Sequence, residues 1–240
     1  MLVYLVRHGQ SAGNIPGLHG GANPDLSDIG KAQAEATGDA LAGAGIATIM
    51  SSPLTRALRT AHLIATPLGA TVEAWPDLAE ADRKAWKVLK KERSAASRAG
   101  LTADEVAERF PGTRLVGFSG DQTWWLEQGR EGRKGTYRRA EKVIRQIRKR
   151  WAARDGEFAR RTRKRIRIAD SRDGAIALVT HGAFGSVLVA ALVEAAPTDY
   201  NRFSQYNCGI SLVEISGKET RLRFLNRTDH LQPDLHTDLT

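Results

Sequence analysis

Short apolar runs that alternate with helix-forming segments constrain the fold of this chain more than any other feature. Each run is bounded by turn-forming residues and predicts a β-strand: Leu2–Val6, Ile46–Met50, Thr71–Trp75 and Ala175–Thr180. Amphipathic or apolar helices are predicted from Ser27 or Asp28 to about Ala44, from Pro53 onwards, over Tyr137–Arg154, and from Gly182 to about Ala195. This alternation predicts an α/β fold, a three-layer α/β/α sandwich around a mostly parallel, doubly wound sheet.

Secondary details refine this expectation. The strand Ala175–Thr180 is apolar throughout, which favours a central place in the sheet. A closing hairpin is predicted around Ser216-Gly217-Lys218. Ser52, directly before Pro53, is the predicted N-cap of the second helix. We expect a single domain over residues 1–240, with a basic helical insertion at about 82–173 that partly covers the site and includes a loop over 111–120.

Positive charge is concentrated in one part of the chain. The formal net charge of the 240 residues is +9, but residues 130–172 hold 18 of the 36 lysines and arginines against five acidic residues, a local charge of +13. Such a segment is either a solvated helix face or a contact for a polyanion or an acidic partner. It lacks interleaved aromatic residues and any known nucleic-acid motif, which disfavours nucleic acid as the partner.

Three further features of the sequence indicate where in the cell the protein is located. No run approaches the roughly 18 apolar residues of a transmembrane helix, so no membrane association is expected. The single cysteine, Cys208, excludes an internal disulfide and a multi-cysteine metal site. The pattern of a signal peptide is missing at the N-terminus, and a cytoplasmic location is therefore expected.

Charged and imidazole side chains follow the ends of the predicted strands: Arg7 and His8, Arg56, Glu80, and His181. Carboxyl ends of parallel strands meet at one edge of a sheet, so these side chains should converge. A neutral imidazole is a good nucleophile towards phosphorus near neutral pH. Arginines neutralise phosphoryl oxygens, and a carboxylic acid can protonate a departing alkoxide.

Ordered motifs carry these residues: Arg7-His8-Gly9-x-Ser11-x-x-Asn14, Ser52-Pro53-x-x-Arg56-Ala57-x-x-Thr60-Ala61, Leu78-x-Glu80 and Val179-Thr180-His181-Gly182. In order and spacing they resemble the signatures of the histidine phosphatase superfamily, the phosphoglycerate mutase-like proteins with two catalytic histidines. The resemblance covers about residues 1–80 and 175–231.

The resemblance implies a role for each matching residue. His8 matches the nucleophile that becomes phosphohistidine, and Glu80 matches the proton donor to the leaving group, with Asp82 as the alternative donor. The residues that match the phosphate cradle are Arg7, Arg56, His181 and Asn14; Ser11 is added as a small hydrogen-bonding side chain beside them. The resemblance implies no metal ion or organic cofactor.

The chain departs from the family pattern after Glu80, where Ala81-Asp82-Arg83-Lys84 stands in place of a glycine-containing stretch. The basic and aromatic cluster of the mutases is not matched either. These departures favour a phosphomonoesterase that hydrolyses a small phosphorylated substrate. The alternatives are a phosphoglycerate mutase-type phosphotransferase and a non-catalytic module that binds a phospholigand or a polyanion.

Overall fold

A computed structural model describes residues 1–15, 17–18, 23–81, 100–118, 131–162, 175–196 and 202–237. The strands are β1 Leu2–Arg7, β2 Ile46–Ser51, β3 Thr71–Ala74, β4 Arg114–Leu115, β5 Ala175–Thr180, β6 Ile210–Ser216 and β7 Glu219–Arg227. The helices are α1 Asp28–Ala40, α2 Thr55–Leu68, α3 Ala103–Arg109, α4 Arg133–Thr162 and α5 Gly182–Leu192. Among these described residues, no helix combines the length and the apolar character needed to cross a bilayer.

All seven strands form one sheet in the order β4-β3-β2-β5-β1-β6-β7. The pairings from β4 through to β1 are parallel, whereas β6 and β7 form an antiparallel hairpin on the other edge. The predicted mostly parallel sheet and closing hairpin are therefore confirmed. The register pairs Arg7 with Thr180 and Ser51 with Val179, so three central strands end side by side.

Helices cover both faces of the sheet because the strand side chains alternate between them. On one face, Val3, Leu5 and Leu178 pack in a core with residues of α4 and α5. On the other face, Val6 and Val179 pack with residues of α2 and α3, and α1 lies against α2. Strand β5 is buried along its whole length, as predicted for a central strand. The three-layer α/β/α sandwich is confirmed.

The predicted insertion over 82–173 contributes more to the sandwich than the sequence indicates. The loop predicted over 111–120 contains the short edge strand β4, which pairs with β3. Helix α4 is longer than the predicted helix and buries Ala140, Val143 and Ile147 in the core beneath the sheet. Residues 82–99, 119–130 and 163–174 lie outside the described residues, so their place over the site stays a prediction.

Candidate functional site

The ends of β1 and β5 bring the two predicted histidines together. The His8 N–H donates to Thr180 O at 2.9 Å, which carries the strand pairing one residue past β1. His181 follows β5 and is the N-cap residue of α5. The two imidazole rings lie edge to face, with centroids 5.0 Å apart and planes at 62°. Both side chains are almost fully buried, at 3% and 0% exposure.

Hydrogen bonds define the protonation of His8. Its Nδ1 lies 2.7 Å from Gly9 O, a carbonyl that can only accept, so Nδ1 carries the proton. Arg56 donates from Nε to His8 Nε2 at 3.1 Å, which requires a lone pair on Nε2. Arg56 lies in the first turn of α2, as predicted. The ring is thus a neutral imidazole whose nucleophilic nitrogen faces a guanidinium.

Ser52 contacts His181. The prediction that Ser52 is the N-cap of α2 is wrong. Helix α2 begins at Thr55 with Leu54 as its N-cap, and the Ser52 hydroxyl instead lies 2.7 Å from His181 Nε2. Ser52 Oγ also accepts from Leu54 N–H at 3.3 Å, and a hydroxyl has one donor and two acceptor sites, so either tautomer of His181 fits this contact. When the Ser52 hydroxyl donates to Nε2, the proton of His181 lies on Nδ1, a buried atom that has no hydrogen-bond partner among the described residues.

The environment of both rings disfavours their protonation. Burial lowers the pKa of His8 well below its ordinary value, and the charges of Arg56 and Arg7 lower it further. Burial likewise lowers the pKa of His181, with Arg56 the next cause. Arg7 is 3% exposed and donates to Gln205 O at 2.7 Å. Burial lowers the pKa of Arg7, and the nearby carboxylate of Glu80 opposes this effect.

Glu80 is tied to the same helix that begins after His181. It follows β3 and the 3₁₀ turn Pro76–Leu78. Its Oε1 accepts hydrogen bonds from Ala81 N–H at 2.8 Å and from Phe184 N–H, in the first turn of α5, at 2.9 Å. Its Oε2 accepts none from the described residues. The alternative donor Asp82 lies outside the described residues.

Asn14 and Ser11 stabilise the turn after His8. Asn14 Oδ1 accepts from the Ser11 N–H at 3.2 Å and from the Ser11 hydroxyl at 3.1 Å. Ser11 is buried, at 1% exposure. The structure therefore places both residues in the loop that follows the nucleophile candidate, and it gives both of them a turn-forming contact. Their predicted contact with phosphate stays a prediction.

Several supports of the His8 loop were missed from the sequence. Asn207 donates to His8 O at 2.8 Å, and Thr60 Oγ1 accepts from Gly9 N–H at 3.1 Å. A Cβ added at Gly9 would lie 2.4 Å from Gly30 O, so the loop packs directly on the backbone of α1. Thr60 belongs to the motif Ser52-Pro53-x-x-Arg56-Ala57-x-x-Thr60-Ala61, whereas no sequence signal marks Asn207.

Together these groups form a buried, electropositive site with two neutral imidazoles. Two arginines can hold an anion, joined by His181 in the tautomer with its proton on Nδ1, while His8 Nε2 can attack the anion. A phosphoryl group matches both requirements because it carries charge on its oxygens and accepts a nucleophile at phosphorus. Among the described residues, no group of three or more His, Cys, Asp or Glu side chains could hold a metal ion.

Comparison with known proteins gives a family. The family model for the histidine phosphatase superfamily (branch 1) matches residues 3–228. The 2,3-bisphosphoglycerate-dependent phosphoglycerate mutase of Methylocella silvestris is 38% identical over 112 residues, which is 45% of this chain and 50% of the mutase. The match thus spans about half the length of that relative. The glucosyl-3-phosphoglycerate phosphatase of Mycobacterium tuberculosis is 28% identical over 191 residues, 79% of this chain and 74% of the phosphatase.

Solved structures agree on the fold. The mycobacterial glucosyl-3-phosphoglycerate phosphatase in complex with VO3 superposes with a TM-score of 0.61 at 22% identity, over 95% of this chain and 99% of that chain. Phosphoserine phosphatase from Entamoeba histolytica in complex with 3-phosphoglyceric acid gives a TM-score of 0.62 at 21% identity, over 96% and 99% of the two chains.

Proposed function

Since the chain belongs to the histidine phosphatase superfamily (branch 1), we propose that it is a phosphomonoesterase that works through a phosphohistidine at His8. One observation carries this proposal. The His8 ring holds its proton on Nδ1, at Gly9 O, and presents the lone pair of Nε2 to the guanidinium of Arg56. A nucleophile and an anion-binding group thus face the same point, where a phosphoryl group would bind between them.

In the first step, His8 Nε2 attacks phosphorus, and the bond from phosphorus to the substrate oxygen breaks. Arg7 and Arg56 neutralise the charge that spreads over the phosphoryl oxygens. His181 donates its Nδ1–H to one of these oxygens, which gives that buried donor the partner it otherwise lacks among the described residues. Asn14 and Ser11, in the adjacent turn, contribute further polar contacts to the bound phosphate.

Glu80 acts in both steps. Its Oε1 is held by two backbone N–H groups, and we assign the mobile proton to Oε2. That proton passes to the departing substrate oxygen. Water then attacks the phosphohistidine, Glu80 accepts a proton from it, and inorganic phosphate leaves a neutral His8 behind.

Substitution of the nucleophile and of the acid tests this proposal. His8→Ala should abolish hydrolysis of p-nitrophenyl phosphate without unfolding the protein. Glu80→Gln should lower kcat/KM more for phenyl phosphate than for p-nitrophenyl phosphate, because the poorer leaving group depends more on protonation. Near-wild-type turnover by His8→Ala would reject the nucleophile, and equal losses for the two esters would reject the acid.

The substrate is expected to be a small phosphate ester. Relatives and structural neighbours are named for glucosyl-3-phosphoglycerate and phosphoserine, so a substrate screen should include both with sugar, nucleotide and protein phosphates. A mutase reaction is the second candidate, because curated mutases match 45% of the chain. Isomerisation of a phosphoglycerate in a coupled assay distinguishes mutase from phosphatase. The expected cytoplasmic location stays a prediction.

An additional polyanion-binding function is favoured by one surface. Exposed cations on α4 recur at spacings that place them on one side of the helix, and they form no ion pair with a described residue: Lys134, Arg138, Arg145 and Lys149. Binding of heparin should weaken steeply with added salt if this surface binds a polyanion. Absent or salt-insensitive binding rejects this function and leaves the phosphatase proposal unaffected.

A further inference from the structure

The segment that carries Glu80 is held by side chains rather than by a regular backbone ladder. Thr180, at the end of β5, donates from Oγ1 to Leu78 O at 2.7 Å. Arg139 of α4 donates from one terminal nitrogen to Asp77 O at 2.8 Å and to Ala79 O at 2.7 Å, and from the other to Glu80 O at 3.4 Å. Consecutive carbonyls from 77 to 80 thus all accept from just two side chains.

Arg139 donates these hydrogen bonds from a buried position. Its side chain is 7% exposed, and Glu131 balances its charge through contacts of 3.1 Å to Nε and 2.8 Å to a terminal nitrogen. One edge of the planar guanidinium therefore binds a carboxylate while the rest reaches backbone carbonyls. The compact ammonium of a lysine cannot cover both sets of acceptors at once.

The same guanidinium also contacts the group that holds the Glu80 carboxylate. It lies 4.0 Å from the centroid of the Phe184 ring. The backbone N–H of Phe184 is the donor to Glu80 Oε1 at 2.9 Å. Arg139 thus fixes the backbone of Glu80 directly and packs on the residue that fixes its carboxylate.

We infer that Arg139 is the positioning residue of Glu80, which sets where the carboxylic acid lies relative to the leaving group. The inference rests on the proposed function of Glu80 as proton donor. It assigns to one arginine of the basic segment a role that the total charge of that segment does not indicate. Loss of the Arg139 guanidinium should leave attack by His8 largely intact and should weaken proton transfer from Glu80 to the leaving group.

Arg139→Lys tests the inference through the leaving group. We expect kcat/KM for phenyl phosphate to fall by about 10-fold to 100-fold, the order of loss that small misplacements of a catalytic group cause. For p-nitrophenyl phosphate, whose leaving group depends less on protonation, the loss should stay within about threefold. A general loosening of the fold would instead lower both rates alike.

Lys142→Ala is the matched control. Lys142 lies on the same helix and contacts the same segment, but through the carboxylate of Asp77 at 2.9 Å and not through a backbone carbonyl. Its loss should change neither ester's kcat/KM by more than about twofold, since an ion pair made by a largely exposed lysine contributes little. A selective loss for phenyl phosphate in this control would contradict the assignment to Arg139.

A double variant that combines Arg139→Lys with Glu80→Gln distinguishes a failure of the role inferred for Arg139 from a failure of the proton-donor role proposed for Glu80. Once the acid is gone, Arg139→Lys should cause little further loss for phenyl phosphate. Additive losses, or equal losses for the two esters in Arg139→Lys alone, overturn the inference. If Glu80→Gln itself shows no preference between the esters, the proton-donor proposal fails instead. Should Arg139→Lys not fold, Glu131→Gln carries the same comparison, and an unselective loss there overturns the inference.

Discussion

The two buried histidines should make the protein less stable in mild acid, by an amount that follows from their burial. Both rings are neutral in the folded protein, because burial and two arginines lower their pKa well below the ordinary value. In the unfolded chain each ring takes up a proton below about pH 6.5. Stability is therefore present above that pH and is lost as the pH falls towards the folded-state pKa.

The magnitude follows from linkage. A ring that stays neutral in the fold while its unfolded counterpart titrates near pH 6.5 costs about 1.4 kcal/mol between pH 7.5 and pH 5.5. His8 and His181 together should thus account for nearly 3 kcal/mol of the loss in unfolding free energy over this range. His8→Asn should remove about half of that sum, because asparagine does not titrate.

Urea unfolding of the wild type and of His8→Asn at both pH values measures this difference, in buffers without phosphate so that no ligand stabilises the site. Other titrating groups are shared by the two proteins and cancel. His181→Asn should give a decrease of similar size. If wild type and both variants lose the same free energy between pH 7.5 and pH 5.5, the rings are not held neutral by the fold and the reasoning is wrong.

Two further substitutions test how the site is supported. Ser52→Ala removes the hydroxyl partner of His181 Nε2; kcat should fall by about tenfold or more in steady-state assays, with about 1 kcal/mol lost from the unfolding free energy. Retained activity would contradict this orientation of His181. Gly30→Ala would place a Cβ 2.0 Å from Gln10 O, so chemical denaturation should show a loss of about 1–3 kcal/mol. Gly132→Ala, where a Cβ would meet no atom of the described residues within 4 Å, is its control and should stay near wild type.

Much of the frame was predictable because local patterns determine it. The strand β5 is apolar at every position, and its predicted central place is the observed one. The residues after β1 and β5 converge because neighbouring parallel strands align their carboxyl ends. This convergence does not depend on the order of the strands in the sheet. His8, His181 and Arg56 therefore meet as the sequence indicates.

Long-range contacts between polar side chains were not predictable. Ser52 has the sequence context of an N-cap, yet its hydroxyl lies against His181, 129 residues away. Arg139 is one of 18 basic residues in its segment, and only the packing of α4 against the Glu80 segment distinguishes it. Strand β4 has only two residues and is a strand because it pairs with β3. Two residues are too few to show an alternation of apolar and polar side chains in the sequence.

Capture of the covalent intermediate tests the proposed chemistry most directly. The protein is mixed with a phosphate-labelled substrate, quenched in alkali, which preserves phosphohistidine, and digested for mass spectrometry. We predict one labelled peptide that carries the phosphoryl group on His8 and that is missing from His8→Ala. Continued turnover with no labelled peptide, or with the label on another residue, would contradict the mechanism.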